Sequence, residues 1–230
     1  MSDLPLSTQR SMPRISSSPS VVVDHAFDAG ARKMMAARLK RAIDIAGSAG
    51  GLIALAPFLL LLSVAIRLES PGAAVFRQRR SGYQGATFSI YKFRTMRVVE
   101  DGPDIVQATR DDERITPLGR MMRRTSLDEL PQLLNVLKGE MSLIGPRPHA
   151  LAHDEYYASV IPYYDARFKV RPGITGLAQV SGLRGPTEEI STMAARIDKD
   201  LEYIRDWSLV LDFRILFKTF VIFAFHPAAL

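Results

Sequence analysis

From Ile45 to Ile66 the chain carries no charged residue. The run is about 22 residues, roughly 33 Å as a straight helix and enough to cross a bilayer. Gly50-Gly51 and Pro57 interrupt its middle, and neither half is long enough to span alone. Arg32, Lys33, Arg38, Lys40 and Arg41 precede it, and Arg67, Arg77, Arg79 and Arg80 follow. Basic flanks favour the cytoplasmic side, and here both flanks are basic. A helix kinked at Pro57 that dips into one leaflet and returns satisfies both ends. The pattern therefore predicts a basic flank and re-entrant membrane helix over residues 31–67. A plain span and a buried soluble helix are the alternatives.

The rest of the chain is patterned in shorter pieces. Residues 1–30 are rich in Ser and Pro without periodicity, which predicts a disordered N-terminal tail. The apolar run begins too late to be a secretory signal, and Val21-Val22-Val23 has no place in the tail reading. Two β-prone runs, Val75–Gln78 and Phe88–Phe93, flank the glycine-bearing turn at 82–85 and read as a hairpin. Residues 99–114 are polar and turn-rich, a surface loop or lid. Helices are expected over Ile115–Arg124 and Glu129–Leu137, the second closed by Lys138-Gly139. Met141–Ile144 resembles a strand, 149–169 contain a helix, and 171–176 form a glycine-punctuated turn leading into a short strand. A further helix covers Ile190–Tyr203. Residues 68–206 make one small domain, and 207–230 an aromatic, basic helix that suits either a membrane interface or a core. The fold class is α/β mixed and mainly α, with short β elements.

Composition narrows the partners. The net charge of +6 and pI near 9.7 call for an anionic partner such as lipid headgroups, a nucleotide or nucleic acid. Without cysteine, disulfides and thiolate metal sites are excluded, which fits a cytosol-facing protein. His25, His149, His153 and His226 lack metal-ligand spacing and read as surface or loop residues. No Walker loop or GxGxxG occurs, so any nucleotide site is built another way.

The chemistry concentrates at Arg123-Arg124-Thr125-Ser126-Leu127-Asp128-Glu129-Leu130-Pro131-Gln132. One reading is helix punctuation: Ser126 and Glu129 have capping-box spacing, and Pro131 suits a first turn. The other is an anion site. Lys92, Arg94, Arg123, Arg124 and Arg147 lie within one short span of chain, and a carboxylate among them would be held ionised as nucleophile or metal ligand. Prolines on both sides of Arg147 fix the backbone that presents its guanidinium.

Four motifs in one order carry a resemblance: Lys92–Met96, Thr125–Gln132, Gly145–Pro148 and Arg171–Gly176. The series resembles the bacterial sugar transferase family, the monotopic polyprenyl-phosphate phosphoglycosyl transferases, over roughly residues 40–225 and most closely its short exopolysaccharide-priming members. Leu177 departs from the tryptophan that many members carry. The resemblance implies transfer of sugar-1-phosphate from a UDP-sugar to undecaprenyl phosphate with release of UMP. It makes 68–206 a cytoplasmic catalytic domain on the bacterial inner membrane, among its lipids, with interfacial helices beside the re-entrant one. It implies Asp128 as nucleophile forming a covalent phosphosugar, Glu129 as ligand of Mg2+, and Lys92, Arg94, Arg123 and Arg147 as phosphate contacts. No nucleic acid is expected. The sugar and the oligomeric state stay open, a homodimer included. The rival readings are direct glycosyl transfer with release of UDP, and a non-catalytic membrane-surface scaffold that leaves the two acids unexplained.

Overall fold

A computed structural model of the chain describes residues 21–97, 112–185 and 189–225. Two helices come first, α1 over Val21–Ala36 and α2 over Arg38–Glu69. Helix α1 corrects the expected disordered tail from Val21 onward. Gly30 lets it lie directly against the backbone of Ile204 and Arg205, where a Cβ would strike the Ile204 carbonyl, and Ala31 and Met34 are buried beside it. Residues 1–20 lie outside the described residues, as does most of the loop expected over 99–114.

Helix α2 has 32 residues, about 48 Å of rise, and stays helical through Gly50, Gly51 and Pro57. By length and composition it can cross a membrane. Its ends are fastened to the same domain. Near the start, Lys40 donates to Asp212 Oδ2 (2.9 Å) and the Ile144 carbonyl (3.1 Å), both buried. One turn on, Asp44 accepts from the Ser142 hydroxyl and the Leu143 N–H, each at 3.0 Å. Near the other end, Leu62 and Ile66 pack against Ala74, Phe93 and Met122. Between these anchors the helix is apolar and, apart from buried Ser48 and Gly51 beside Leu133, presents an open face, with Ile53 77% and Leu61 68% exposed.

Strands β1 (Val75–Ser81) and β2 (Thr87–Phe93) form the antiparallel hairpin, pairing Phe76 with Lys92 and Gln78 with Ile90. Helix α3 (Pro117–Arg124) leads to a 3-10 turn at Leu127–Gln132 and then α4 (Leu133–Lys138). The helix expected to run unbroken from Glu129 is therefore split, because Pro131 and the tight turn before it delay regular α pairing. Strands β3 (Ser142–Ile144) and β4 (Gly173–Thr175) run parallel. The strand expected after Gly176 sits before it instead, and Leu177–Val180 is a helical turn, α6. Gly145 and Gly173 decide this, since a Cβ on either would strike the other segment's backbone. That closeness allows Gly145 N–H to reach the Thr175 carbonyl (2.9 Å) and Gly173 N–H the Pro146 carbonyl (2.8 Å). Two sequence motifs are thus one structural unit.

Helices α5 (Leu151–Val160) and α7 (Ile190–Arg205) join α1 around the main core of Tyr157, Ile161, Tyr164, Met193, Ile197 and Ile204. The last helix, α8 (Leu209–Phe225), turns Asp212 and Ile215 inward. It leaves Val210, Phe213, Phe217 and Phe220 exposed on another face, a stripe at helical spacing.

Candidate active site

The acidic pair owes its position to a reversal of the chain. Thr116 caps α3 by accepting from Gly119 N–H (3.0 Å), and α3 ends at Thr125. Ser126 then adopts the left-handed region at φ 51°, which throws Leu127–Gln132 into its tight turn. The capping box suggested by spacing does not form. Ser126 Oγ instead accepts from Arg184 (3.0 Å), and Glu129 N–H goes to the Ser126 carbonyl (3.1 Å). The Glu129 side chain is released to turn inward. It accepts from Lys92 Nζ (2.9 Å) and takes a two-pronged grip from Arg147, whose Nη1 donates to Oε2 at 3.0 Å and Nη2 to Oε1.

Each partner in that grip is held from behind. Asn135 on α4 accepts from Tyr91 N–H (3.0 Å) and donates to the Ser89 carbonyl (2.7 Å), so β2 lies against the acidic turn with Lys92 beneath it. Arg147 stands between Pro146 and Pro148, and its carbonyl accepts from buried Arg167. Arg167 is fixed in turn by Asp200 (3.0 Å), the Tyr164 hydroxyl (3.1 Å) and His149 Nδ1 (2.8 Å). His149 lies in a loop, one of the two placements expected for it, but at 6% exposed it is not at the surface. Burial first and Arg167 second hold its pKa well below the usual value, so it stays neutral and its Nδ1 accepts from Arg167.

The charges of the pair diverge. Burial alone would raise Glu129, but Arg147 and then Lys92 reverse this and hold it well below the usual carboxylate range. Asp128 moves the other way. Burial and the Glu129 charge push it up to about 6, against Lys92, Arg123 and Arg147. The cations were expected to keep Asp128 comfortably ionised, and that margin is narrowed because Glu129 absorbs much of their field. At neutral pH the ionised form still leads, by roughly ten to one. A more basic carboxylate is a better nucleophile. Among the described residues no donor is bonded to Asp128, so its oxygens are unclaimed.

The structure thus gathers Lys92, Arg123, Asp128, Glu129 and Arg147. Arg123 is anchored by Nε to Thr95 Oγ1 (3.0 Å) while its charge acts on Asp128. Arg94 is not with them, which corrects its expected role as a phosphate contact. It is buried and closes the C-terminus of α2, donating to the carbonyls of Ser70 (2.6 Å), Ile66 (3.4 Å) and Pro71. Four free carbonyls at a helix end are a stronger draw than an open anion site. Arg184 and Arg167 were missed from sequence. Arg184 had a signal, a lone cation in a glycine turn, whereas nothing local marks Arg167.

Among the described residues no three potential ligands cluster for a metal. Oε1 of Glu129 accepts two bonds and Oε2 only one, so a single lone pair of Glu129 remains beside the free Asp128 carboxylate. That donor set fits a hard cation that keeps water and takes substrate phosphate oxygens, as Mg2+ does.

The family described as bacterial sugar transferase matches residues 35–226. A UDP-glucose:undecaprenyl-phosphate glucose-1-phosphate transferase of Caulobacter vibrioides is 57% identical over 180 residues, covering 78% of this chain and 67% of that protein. A protein of the same name from Escherichia coli K12 is 49% identical over 79% of this chain but only 39% of its own length. The exopolysaccharide production protein PSS of Rhizobium leguminosarum is 48% identical, covering 80% of this chain and 94% of that protein. The chain thus spans nearly the full length of the Rhizobium relative, two thirds of the Caulobacter one and well under half of the Escherichia one.

Proposed function

The chain belongs to the bacterial sugar transferase family, and from that premise we propose that it transfers sugar-1-phosphate from a UDP-sugar to undecaprenyl phosphate. UMP is released, and the product primes exopolysaccharide or another surface glycan. The observation that carries this reading is the unclaimed Asp128 carboxylate, raised to about 6, next to a Glu129 locked by Arg147 and Lys92. A scaffold has no use for such a pair. In the proposed reaction Lys92, Arg123 and Arg147 hold the diphosphate, and Asp128 attacks the sugar-bearing phosphorus in line. The bond to the bridging oxygen breaks, UMP leaves with its electron pair, and an acyl phosphate forms on Asp128. An oxygen of the lipid phosphate then attacks the same phosphorus and expels the carboxylate. Mg2+ held by Glu129 would neutralise charge on the diphosphate.

UDP-glucose is the donor we favour, following the names of the Caulobacter and Escherichia relatives. With a panel of UDP-sugars and undecaprenyl phosphate, the expected products are UMP and a lipid heavier by a hexose phosphate. Stoichiometric UDP would establish direct glycosyl transfer in its place.

We also propose that α2 enters and leaves by the cytoplasmic face of the inner membrane. Two features support it: both ends of α2 rest on one domain, and the open apolar faces of α2 and α8 offer themselves to lipid. Single cysteines at Ser20 and Gln84 are expected to be labelled from the cytoplasmic side alone. Labelling from opposite sides would establish a true span.

A further inference from the structure

Arg184 lies 56 residues beyond Asp128 in sequence (184 minus 128), outside every motif that marked the site. Its guanidinium donates to Ser126 Oγ (3.0 Å), the residue whose left-handed turn sets the acidic pair in place. Behind it stands the ring of Phe223 on α8, with the guanidinium carbon 5.2 Å from the ring centre. It is half-buried, and among the described residues no carboxylate lies within ion-pair distance of it. An aromatic ring on one side and a single hydroxyl on the other leave most of its five donors unused. A partly desolvated cation in that condition is costly unless an anion completes it.

The charge balance points the same way. Lys92, Arg123 and Arg147 act on Asp128, and Arg184 interacts with Arg147 as well as with both acids. Four cations face two carboxylates, an excess of two positive charges. Burial and the repulsion of Arg147 push the Arg184 pKa down, outweighing the attraction of Glu129 and Asp128. An incoming dianion would relieve that repulsion, and the diphosphate of a nucleotide sugar carries two negative charges.

We propose that Arg184 is a further phosphate-binding residue, closing the site opposite Arg147 so that the donor's diphosphate lies between the two guanidinium groups. This rests on the proposed function, and it adds the face of the site formed by Ser126 and α8. Its consequence is that α8, the helix with an exposed apolar stripe, presents a substrate contact through Phe223. The same cation could instead take the phosphate of the lipid acceptor, and the test separates the two.

The test uses the full chain in lipid nanodiscs, with UDP as the binding probe in the absence of acceptor. Arg184→Gln is expected to weaken UDP binding at least about tenfold. The KM for UDP-glucose should rise by a similar factor and by more than kcat falls, while the KM for undecaprenyl phosphate stays within threefold. Arg184→Lys keeps the charge without the fork and should recover only part of the loss. It also serves as the test if the glutamine variant does not fold. UDP affinity within twofold of the parent in a folded variant overturns the inference, as does a rise confined to the KM for the lipid. A parent protein that binds UDP but yields UDP as its reaction product would instead overturn the proposed function, whatever Arg184 does.

Discussion

Asp128→Asn is expected to abolish sugar-phosphate transfer, with a loss of at least about a thousandfold or roughly 4 kcal/mol in the transition state. The amide keeps the size and lacks the electron pair that attacks phosphorus. Nothing in the fold requires the charge, because no hydrogen bond among the described residues ends on the Asp128 carboxylate. Removing it also takes one like charge from beside Glu129, so the folded state should be as stable as the parent or slightly more so. Loss of activity with retained stability is the signature of a group kept for chemistry. The parent protein, given UDP-glucose without lipid acceptor, should release a burst of UMP equal to the enzyme present and retain the sugar phosphate on Asp128. The asparagine variant should show neither. A burst of undiminished size in Asp128→Asn would remove Asp128 as the nucleophile, and a parent protein with no burst would point to direct attack by the lipid phosphate.

Glu129→Gln should fail differently. Glu129 is the common anion of Lys92 and Arg147, and its loss leaves two cations facing each other with a neutral amide between them. The expected cost is about 3 kcal/mol of stability, a fall of roughly 9 °C in Tm. Activity should drop at least about a hundredfold, near 2.7 kcal/mol, because the phosphate-binding cations lose the carboxylate that aligns them. If Glu129 also binds Mg2+, the metal concentration for half-maximal activity should rise at least about tenfold. Thermal melts and metal titrations of the same preparation distinguish the roles. Lost stability with an unchanged metal dependence would leave Glu129 as the organiser of Lys92 and Arg147 and assign the metal elsewhere.

Much of this protein was legible along the chain. The uncharged run at 45–66, the hairpin around Gly82 and Gly85, and the helices ending at Arg124 and near Arg205 follow from periodicity and turn chemistry, which act over a few residues. The acidic pair was visible because two adjacent carboxylates beside cations are unusual at any level of structure. What sequence could not decide was the destination of each long side chain. Lys92 and Arg94 are two residues apart and read alike, yet one meets Glu129 and the other closes α2. Their fates depend on acceptors 37 and 24 residues away. His149 reads as a surface or loop residue and nothing local marks Arg167 or Asp200, and only the packing of α7 on the 3-10 turn at Tyr164–Lys169 makes them the support of Arg147. Asp128 shows the same limit electrostatically. Its nearest cations predict a lower pKa, but their field is spent on Glu129, and how much remains is set by distances and burial that exist only in the folded chain. Local pattern determines which elements form, because backbone hydrogen bonding and turn geometry are local. The reach of an arginine or lysine is about 7 Å, so its partner is whatever the fold brings within that radius.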